Sequence, residues 1–528
     1  MKRITSPILC LLLSACLGLA AGKAGLVSVG ADGKLVYAAD ERGNRIPDFS
    51  RAGYMGGGVA LPDVPVVLTL TPEPGDTDDT QRIQAAIDQV AAMTPDKDGA
   101  RGALLLRKGL YRIAGSLTIA VSGVVLRGEG QGPDGTILLG TGKEQRTLIT
   151  VGGRMRTSEI DGTRHEVKEP YVPWGATSLV LDSVANLSVG DPVMVFRPGT
   201  AQWIHDLKMD EIDPRDGTKQ WQGEGFDLKF ERTIASIDGN TITLDAPVVN
   251  AMEDKYGGGF VYRFTETGRI DAAGVENLRL VSEYRKGQED KDEAHAWTGV
   301  AVNGCRNCWV RNVTTVHFSH AVALGGGSIF VTAQDLACLE PVSLISGGRR
   351  YPFSTDGQFC LIQRGYSKDS RHAQATASRT AGPNVFLDCL AEKTHADTGP
   401  HQRWAVGTLW DNLKGGPFNA QDRGNWGTGQ GWSGAQQVFW NCETDTLCVQ
   451  KPPTAQNYAI GCTGKIDAGR FKDREKGHYE SHGKHVVPRS LYLKQLEDRL
   501  GSQAVLNVTT EEQRKGTVLS QLRARLAR

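Results

Sequence analysis

The stretch from residue 347 to 411 is rich in groups able to hold an anion and move a proton. GGRRYPF supplies Arg349, Arg350 and Tyr351, and SKDSRHAQATASR supplies Lys368, Arg371, His372 and Arg379. EKTHADTGPHQRWAVGTLWD then adds Glu392, Lys393, His395, Asp397, His401, Arg403, Trp404 and Asp411. Guanidinium forks match carboxylates two bonds at a time, and imidazole changes charge near neutral pH. The set therefore points to an acidic ligand and to proton transfer.

These groups need a scaffold that brings distant turns together. Arg371 and His372 precede Lys393 and His395 by roughly one repeat of the surrounding pattern. Short apolar runs begin near Val275, Trp309, Ile329, Phe359, Val385, Ala405, Val438 and Tyr458, with Gly, Asn and Asp between them. Each is too short for a helix and alternates as a strand buried on one face does. Stacked one per turn, about 4.8 Å apart, such strands make a solenoid. Residues 273–466 are thus expected to form a single-stranded right-handed parallel β-helix of roughly eight coils, at about 24 residues each. One turn would then lie under the next, and His401 and Arg403, two apart, would point the same way if they stood in a strand.

The flanking segments complete an all-β plan. GDTDDTQRIQAAID at 75–88 sets Asp and Thr before Ile83 and Ile87, a capped amphipathic helix. GALLLRKGLYRIAGSLTIAVSGVVLRGEG follows at 102–130, and 66–155 is read as one unit after an extension at 22–65. Residues 156–272 break the pattern and read as an inserted antiparallel β unit, from GATSLVLDSVANLSVGDPVMVF and IASIDGNTITLDAPV. Residues 467–528 form a tail with helices, in which VVPRSLYLKQLEDRLG is expected to cover the lower end of the solenoid.

The capping-helix motif, the run after it and the P.SLY..QL..R.G pattern near the C-terminus resemble the pectate-lyase superfamily, whose members act on polysaccharides through lyase, hydrolase or epimerase chemistry. The resemblance implies the β-helix, with the N-terminal helix plugging its open end and the run after it forming the first coils, and an acidic polysaccharide, and leaves the reaction to the site. A uronate lyase needs a cation for the sugar carboxylate, a base for the C5 proton and an acid for the leaving oxygen. On that template Arg403 and Arg371 are the carboxylate clamps, His401 is the base, and His372 or His395 is the acid, with Lys393 among the catalytic candidates. Arg349, Arg350, Tyr351 and Arg379 are candidate substrate contacts, as are Trp404 and Trp203, whose rings could stack on a sugar. Packing of Trp203, Trp221 and Phe226 in the insert's own core is the other reading. Asp397 is expected to orient a histidine or to hold a divalent cation, with Ca²⁺ the cofactor in view.

Two alternatives stand beside β-elimination. A glycoside hydrolase would use paired carboxylates drawn from Asp397, Asp411, Glu392 and Asp388. A non-catalytic carbohydrate-binding or adhesin-like solenoid would use none of these groups chemically. The chain lacks the WiDH and RxPxxR patterns of calcium-dependent pectate lyases, and carries Gln430 where polygalacturonases have a histidine. Asn384 and Asn457 read as turn-capping residues of the kind that form an asparagine ladder.

Composition bounds the partners. Lys plus Arg equal Asp plus Glu at 60 each, so no global field favours nucleic acid. With 64 glycines among 528 residues, turns between short strands are expected throughout. Residues 1–21 read as a signal peptide, with Lys2 and Arg3 before an apolar run, so the protein is expected to be secreted or periplasmic. Leu-Ser-Ala-Cys at 13–16 alternatively makes Cys16 a lipid anchor for an outer-membrane lipoprotein. No transmembrane helix follows, and a monomer is expected. The eight later cysteines fall between Cys305 and Cys462. Cys389, Cys442 and Cys462 each end an apolar run, which suggests a stack of buried thiols more than disulfides. Cys305 and Cys308 lack a second pair that would make a zinc site.

Overall fold

The computed structural model describes residues 25–75 and 77–526. The expected signal peptide and Cys16 lie outside the described residues. Parallel strands stack into a β-helix whose inner face is a column of register partners: Val275, Val310, Ala333, Ile362, Phe386, Trp410, Phe439 and Ala459. All are buried. Removing such side chains from water is the main stabilising term, about 1.5–3 kcal/mol for each large one. Three rings continue the column, with Phe386 stacked on Trp410 at 4.7 Å and Trp410 on Phe439 at 5.8 Å.

Two residues beyond the core positions from Val275 to Phe439 the chain bends in the same way coil after coil. Asn277, Asn312, Asp335, Arg364, Asp388, Asn412 and Asn441 have φ of 59°, 53°, 58°, 53°, 52°, 55° and 51°. Asn and Asp tolerate this left-handed conformation better than other non-glycine residues. Arg364 is the exception, and the Asp335 carboxylate holds its guanidinium at 2.8 Å. Asn312 Nδ2 donates to Asn277 Oδ1 at 2.9 Å, so the asparagine ladder sits at this corner. Asn384 and Asn457 are caps that bind neighbouring turns: their Oδ1 atoms accept from Cys360 N–H and Gln437 N–H, each at 2.9 Å. Cys389, Cys442 and Cys462 follow the corner directly, and all eight described cysteines are free and buried.

A second parallel sheet faces the first across the core. It comprises Leu117–Ile119, Arg146–Gly152, Ala296–Asn303, His320–Leu324, Phe353–Thr355, Gln374–Thr376 and Gly399–Pro400. The helix Thr80–Ala91 buries Ile83, Ala86, Ile87 and Val90 against the first coils and closes that end.

The insert is an antiparallel sheet with Arg156–Glu159, Pro192–Arg197, Leu228–Asp238, Thr241–Leu244 and Phe260–Thr267 among its strands. Its core is shared with the β-helix, because Trp404 and Trp432 pack among Trp203, Trp221 and Phe230.

The C-terminal segment is placed differently from expectation. Helix Leu491–Leu500 does not cover the lower end of the solenoid; Leu491, Tyr492 and Leu496 pack on the outward residues Leu409, Trp440 and Ile460 of the first sheet, together with Phe49 and Ile46 of the N-terminal extension. Those strands alternate apolar residues on both faces, so their outer face needs a cover as much as the end does. Among the described residues no helix is long and apolar enough to cross a membrane.

Candidate active site

Strand register on the second sheet assembles a cleft. Val322 pairs with Phe353 and Phe353 with Gln374, so His320, Tyr351 and His372, each two residues earlier, fall into one line. Ring centroids are 5.8 Å apart from His320 to Tyr351 and 4.7 Å from Tyr351 to His372. Beside them the register partners Ser354 and Ala375 are small and leave room above the sheet. His401, just past Gly399–Pro400, turns its ring to within 4.5 Å of His372 and 5.2 Å of Tyr351. The space above these rings is a cleft of about 650 Å³.

A charge network lies under the rings. Asp397 Oδ2 accepts from Arg423 at 2.7 Å, and His372 Nδ1 donates to the Asp397 carbonyl oxygen at 2.7 Å. Arg423 also donates to Gln430 Oε1 at 2.9 Å, and Gln430 Nε2 lies 3.1 Å from His401 Nε2. The Tyr351 hydroxyl is 3.0 Å from the same nitrogen.

Burial dominates the titration of these groups. It lowers His320 and His372 to about 4, in His372 with help from Arg423 and Arg371 and against Asp397. His401 is held well below its ordinary value by burial and by the charges of His372 and Arg423. Burial raises Tyr351 to about 12, so it is a phenol at neutral pH. Burial pushes the Asp397 carboxyl up, but Arg423 and His372 outweigh it and keep the group ionised.

One wall is the turn from Arg423 to Gln430, and the insert fixes it. Lys219 N–H donates to the Thr428 carbonyl at 3.1 Å, Trp221 Nε1 to the Gly429 carbonyl at 3.0 Å, and Asn425 Nδ2 to the Asp213 carbonyl at 3.2 Å. Trp426 stands at the lip, 39% exposed, with the Arg423 and Arg470 guanidinium groups 5.3 and 5.0 Å from its ring. Among the described residues the charged side chains lining the cleft are Arg215, Arg371 and Arg423, and no carboxylate lines it.

No protein-family model matches the chain, and no curated protein matches it. Among solved structures it is similar to the tailspike protein gp49 from Pseudomonas phage LKA1, at 13% identity over 74% of this chain and 57% of that one, with a TM-score of 0.43. It is also similar to the polygalacturonase from Erwinia carotovora ssp. carotovora, at 11% identity, 82% and 96% coverage and a TM-score of 0.33. The A-module of the Azotobacter vinelandii mannuronan C-5 epimerase AlgE4 matches at 12% identity, 82% and 76% coverage and a TM-score of 0.29. The chain spans little more than half the length of that tailspike, 57%. The parallel β-helix itself is carried by the strand pairing described above.

The residues singled out from sequence separate into those at the cleft and those away from it. His401, Tyr351 and Arg371 line it, and His372 lies directly beneath. Arg403 does not join them. Arg403 and Trp404 have φ of 49° and 60°, so the chain turns instead of running as a strand, and the Arg403 guanidinium leaves for the Thr428 carbonyl at 2.8 Å.

The turns carrying Arg371 and His395 do stack, through His395 N–H to the Ser370 carbonyl at 2.8 Å. Their side chains nevertheless diverge. His395 faces Asp369 at 4.0 Å, and Lys393 edges an open hollow beside Lys368 and Lys414. Arg349 pairs with Glu293, and the buried Arg350 donates to Asp290 and to the Ser343 carbonyl. Arg379 donates to the Gly225 carbonyl of the insert.

Trp203 and Trp404 are fully buried and meet edge to face at 5.1 Å, so they join insert to helix and offer no surface to a sugar. Asp397 is likewise a poor cation ligand: both oxygens face cations or their donors, and a metal there would stand against Arg423. Among the described residues the grouped ligand atoms belong to the exposed trio His205, Asp210 and Glu211 on the insert.

Sequence reasoning missed His320, Arg423, Trp426 and Arg215, and met Gln430 only as a departure from polygalacturonases. Arg423 follows His401 by about one coil length, a usable signal in hindsight of the coil spacing.

Proposed function

We propose that the protein cleaves an acidic, uronic-acid-containing polysaccharide by β-elimination, outside the cytoplasm, to which the leader expected at 1–21 would direct it. The observation that carries this reading is the cleft's lining: three arginines, His401 and Tyr351, with no carboxylate among the described residues. A hydrolase needs two carboxyl groups across one glycosidic bond. Of those considered, Asp411 and Asp388 are engaged by the C-terminal segment and Glu392 by Tyr366 and Arg523, all away from this cleft. The resemblance to the pectate-lyase superfamily supports a polysaccharide as the substrate class.

In this reading Arg371 neutralises the sugar carboxylate, which makes the adjacent C5 proton removable, while Arg423, paired with Asp397, holds Gln430 in place. His401 is neutral and takes that proton; the C5–H electron pair becomes the new C4–C5 double bond, and the C4–O4 bond breaks. Tyr351 gives its proton to the leaving oxygen, and protonated His401 returns one to Tyr351 across their hydrogen bond. Acid and base lie on the same side, which favours syn elimination.

The test is to mix purified protein with pectate, alginate, glucuronan and glycosaminoglycans and follow the ultraviolet absorbance of unsaturated sugar ends. Absorbance that disappears in His401→Ala supports the proposal. New reducing ends without absorbance would replace it by hydrolysis, and polymer binding without either would replace it by a binding role.

A further inference from the structure

A neutral imidazole has one donor and one acceptor nitrogen, and its neighbours decide which is which. For His401 the decision traces back to a cation. Arg423 has only donors, and its Nε reaches Gln430 Oε1 at 2.9 Å, so the amide oxygen must face Arg423. The amide NH₂ then faces His401 Nε2 at 3.1 Å, and an NH₂ can only donate. Nε2 must accept, which leaves the ring proton on Nδ1.

We propose that Gln430, aimed by the Asp397–Arg423 pair, is a positioning residue that fixes His401 as the Nδ1–H tautomer, with Nε2, the nitrogen that Tyr351 also reaches, as the acceptor. Its catalytic meaning rests on the reading of His401 as the base; the tautomer itself does not. Gln430 is 9% exposed and Arg423 5%, so water competes little for these bonds.

His372 reaches the same tautomer by a separate route. Its Nδ1 donates to the Asp397 carbonyl oxygen, and its Nε2 is buried without a partner. Asp397 therefore sets both rings, one through its main chain and the other through Arg423 and Gln430. A glutamate at 430 would keep one oxygen for Arg423 but offer the second to Nε2, drawing a proton onto it.

The experiment is long-range ¹H–¹⁵N spectroscopy of the full chain labelled with ¹⁵N-histidine, with the His401 signals assigned by their loss in His401→Gln. Wild type is expected to show His401 protonated on Nδ1, and Gln430→Glu to show it protonated on Nε2 or on both nitrogens. An Nε2–H tautomer in wild type, or no change in Gln430→Glu, would overturn the proposal. Should the glutamate variant fail to fold by its melting curve, the wild-type spectrum and Gln430→Met, expected to give a mixture of tautomers, decide the matter.

With a cleaved polymer in hand, Gln430→Glu is expected to lower kcat by about 10²–10⁴-fold while KM moves little. A raised KM with kcat intact would make Gln430 a sugar contact instead. If no polymer is cleaved, the lyase reading falls and the spectra still decide the tautomer.

Discussion

The two flanks of the β-helix use the same residue types to opposite ends. On the cleft flank, His320, Tyr351, His372 and His401 are brought together with one ring nitrogen each of His320 and His372 left without a partner, and Asp397 serves to orient His372 and His401. On the flank under the C-terminal helices Asp388 and Asp411 have their partners. Asp388 accepts from both Nη atoms of Arg489 at 2.7 and 3.1 Å and from Gln513, while Asp411 accepts from Ser490 Oγ at 2.7 Å and Tyr492 N–H at 2.9 Å. A polar cluster in a solenoid turn is therefore chemistry or carpentry according to whether anything covers it. Satisfied groups hold chain segments, and partly satisfied ones await a ligand.

Substitutions on each flank should separate the two roles. The largest effect is expected from His401→Ala, a loss of about 10²–10⁴-fold in kcat with little change in melting temperature, measured by initial rates and calorimetry. Asp388→Ala should do the reverse, costing about 3 kcal/mol in urea unfolding because Arg489 and Gln513 lose their partner, with the folded fraction keeping its kcat. Arg371→Ala is expected to raise KM by about tenfold or more through loss of a charged contact. Arg403→Ala, whose guanidinium holds Thr428 of the wall and does not itself line the cleft, should shift kcat/KM by no more than about threefold; a larger loss would move the clamp back to Arg403.

Acidity offers a further contrast between the flanks. His320 and His372 titrate near 4 when folded and near 6.5 when unfolded, so between these values the unfolded chain binds the extra protons and stability falls as pH falls. Asp411, raised to about 7 by burial, binds its proton in the folded chain first, so its contribution is complete below about pH 4 and is lost as pH rises toward 7. Across the pH 4 to 7 range that the two groups share, urea midpoints should change slope in opposite senses: His372→Gln removes a rise of stability with pH, and Asp411→Asn removes a fall.

Much of the fold was legible because its repeat is written in short-range chemistry. Apolar runs end on Asn, Asp or Cys at each corner, and Ile83 and Ile87 mark the capping helix. Of the site, His401, Tyr351, Arg371 and His372 were within reach because coil spacing stacks their turns. Arg403 misled through the assumption of strand alternation, which two left-handed residues break. Trp203 and Trp404 misled because an aromatic in a loop-rich stretch looks the same whether it greets solvent or another tryptophan. His320 was missed because it lies a coil earlier, outside the cation-rich stretch, and Trp426 and Arg215 because a long excursion and a separate sheet bring them in. Tertiary placement of that kind leaves no periodic trace.

The wall made by the turn from Arg423 to Gln430 is held by Asp213, Lys219 and Trp221, which leave the ribosome some two hundred residues earlier. Synthesis thus delivers the clamp first and the piece it grips last. The site cannot exist on a nascent chain until the late coils have been added and have found the finished insert, a long-range encounter of the slow kind. Turnover would therefore report completed folding of the whole chain, and a truncated or stalled product would be stable in part but silent.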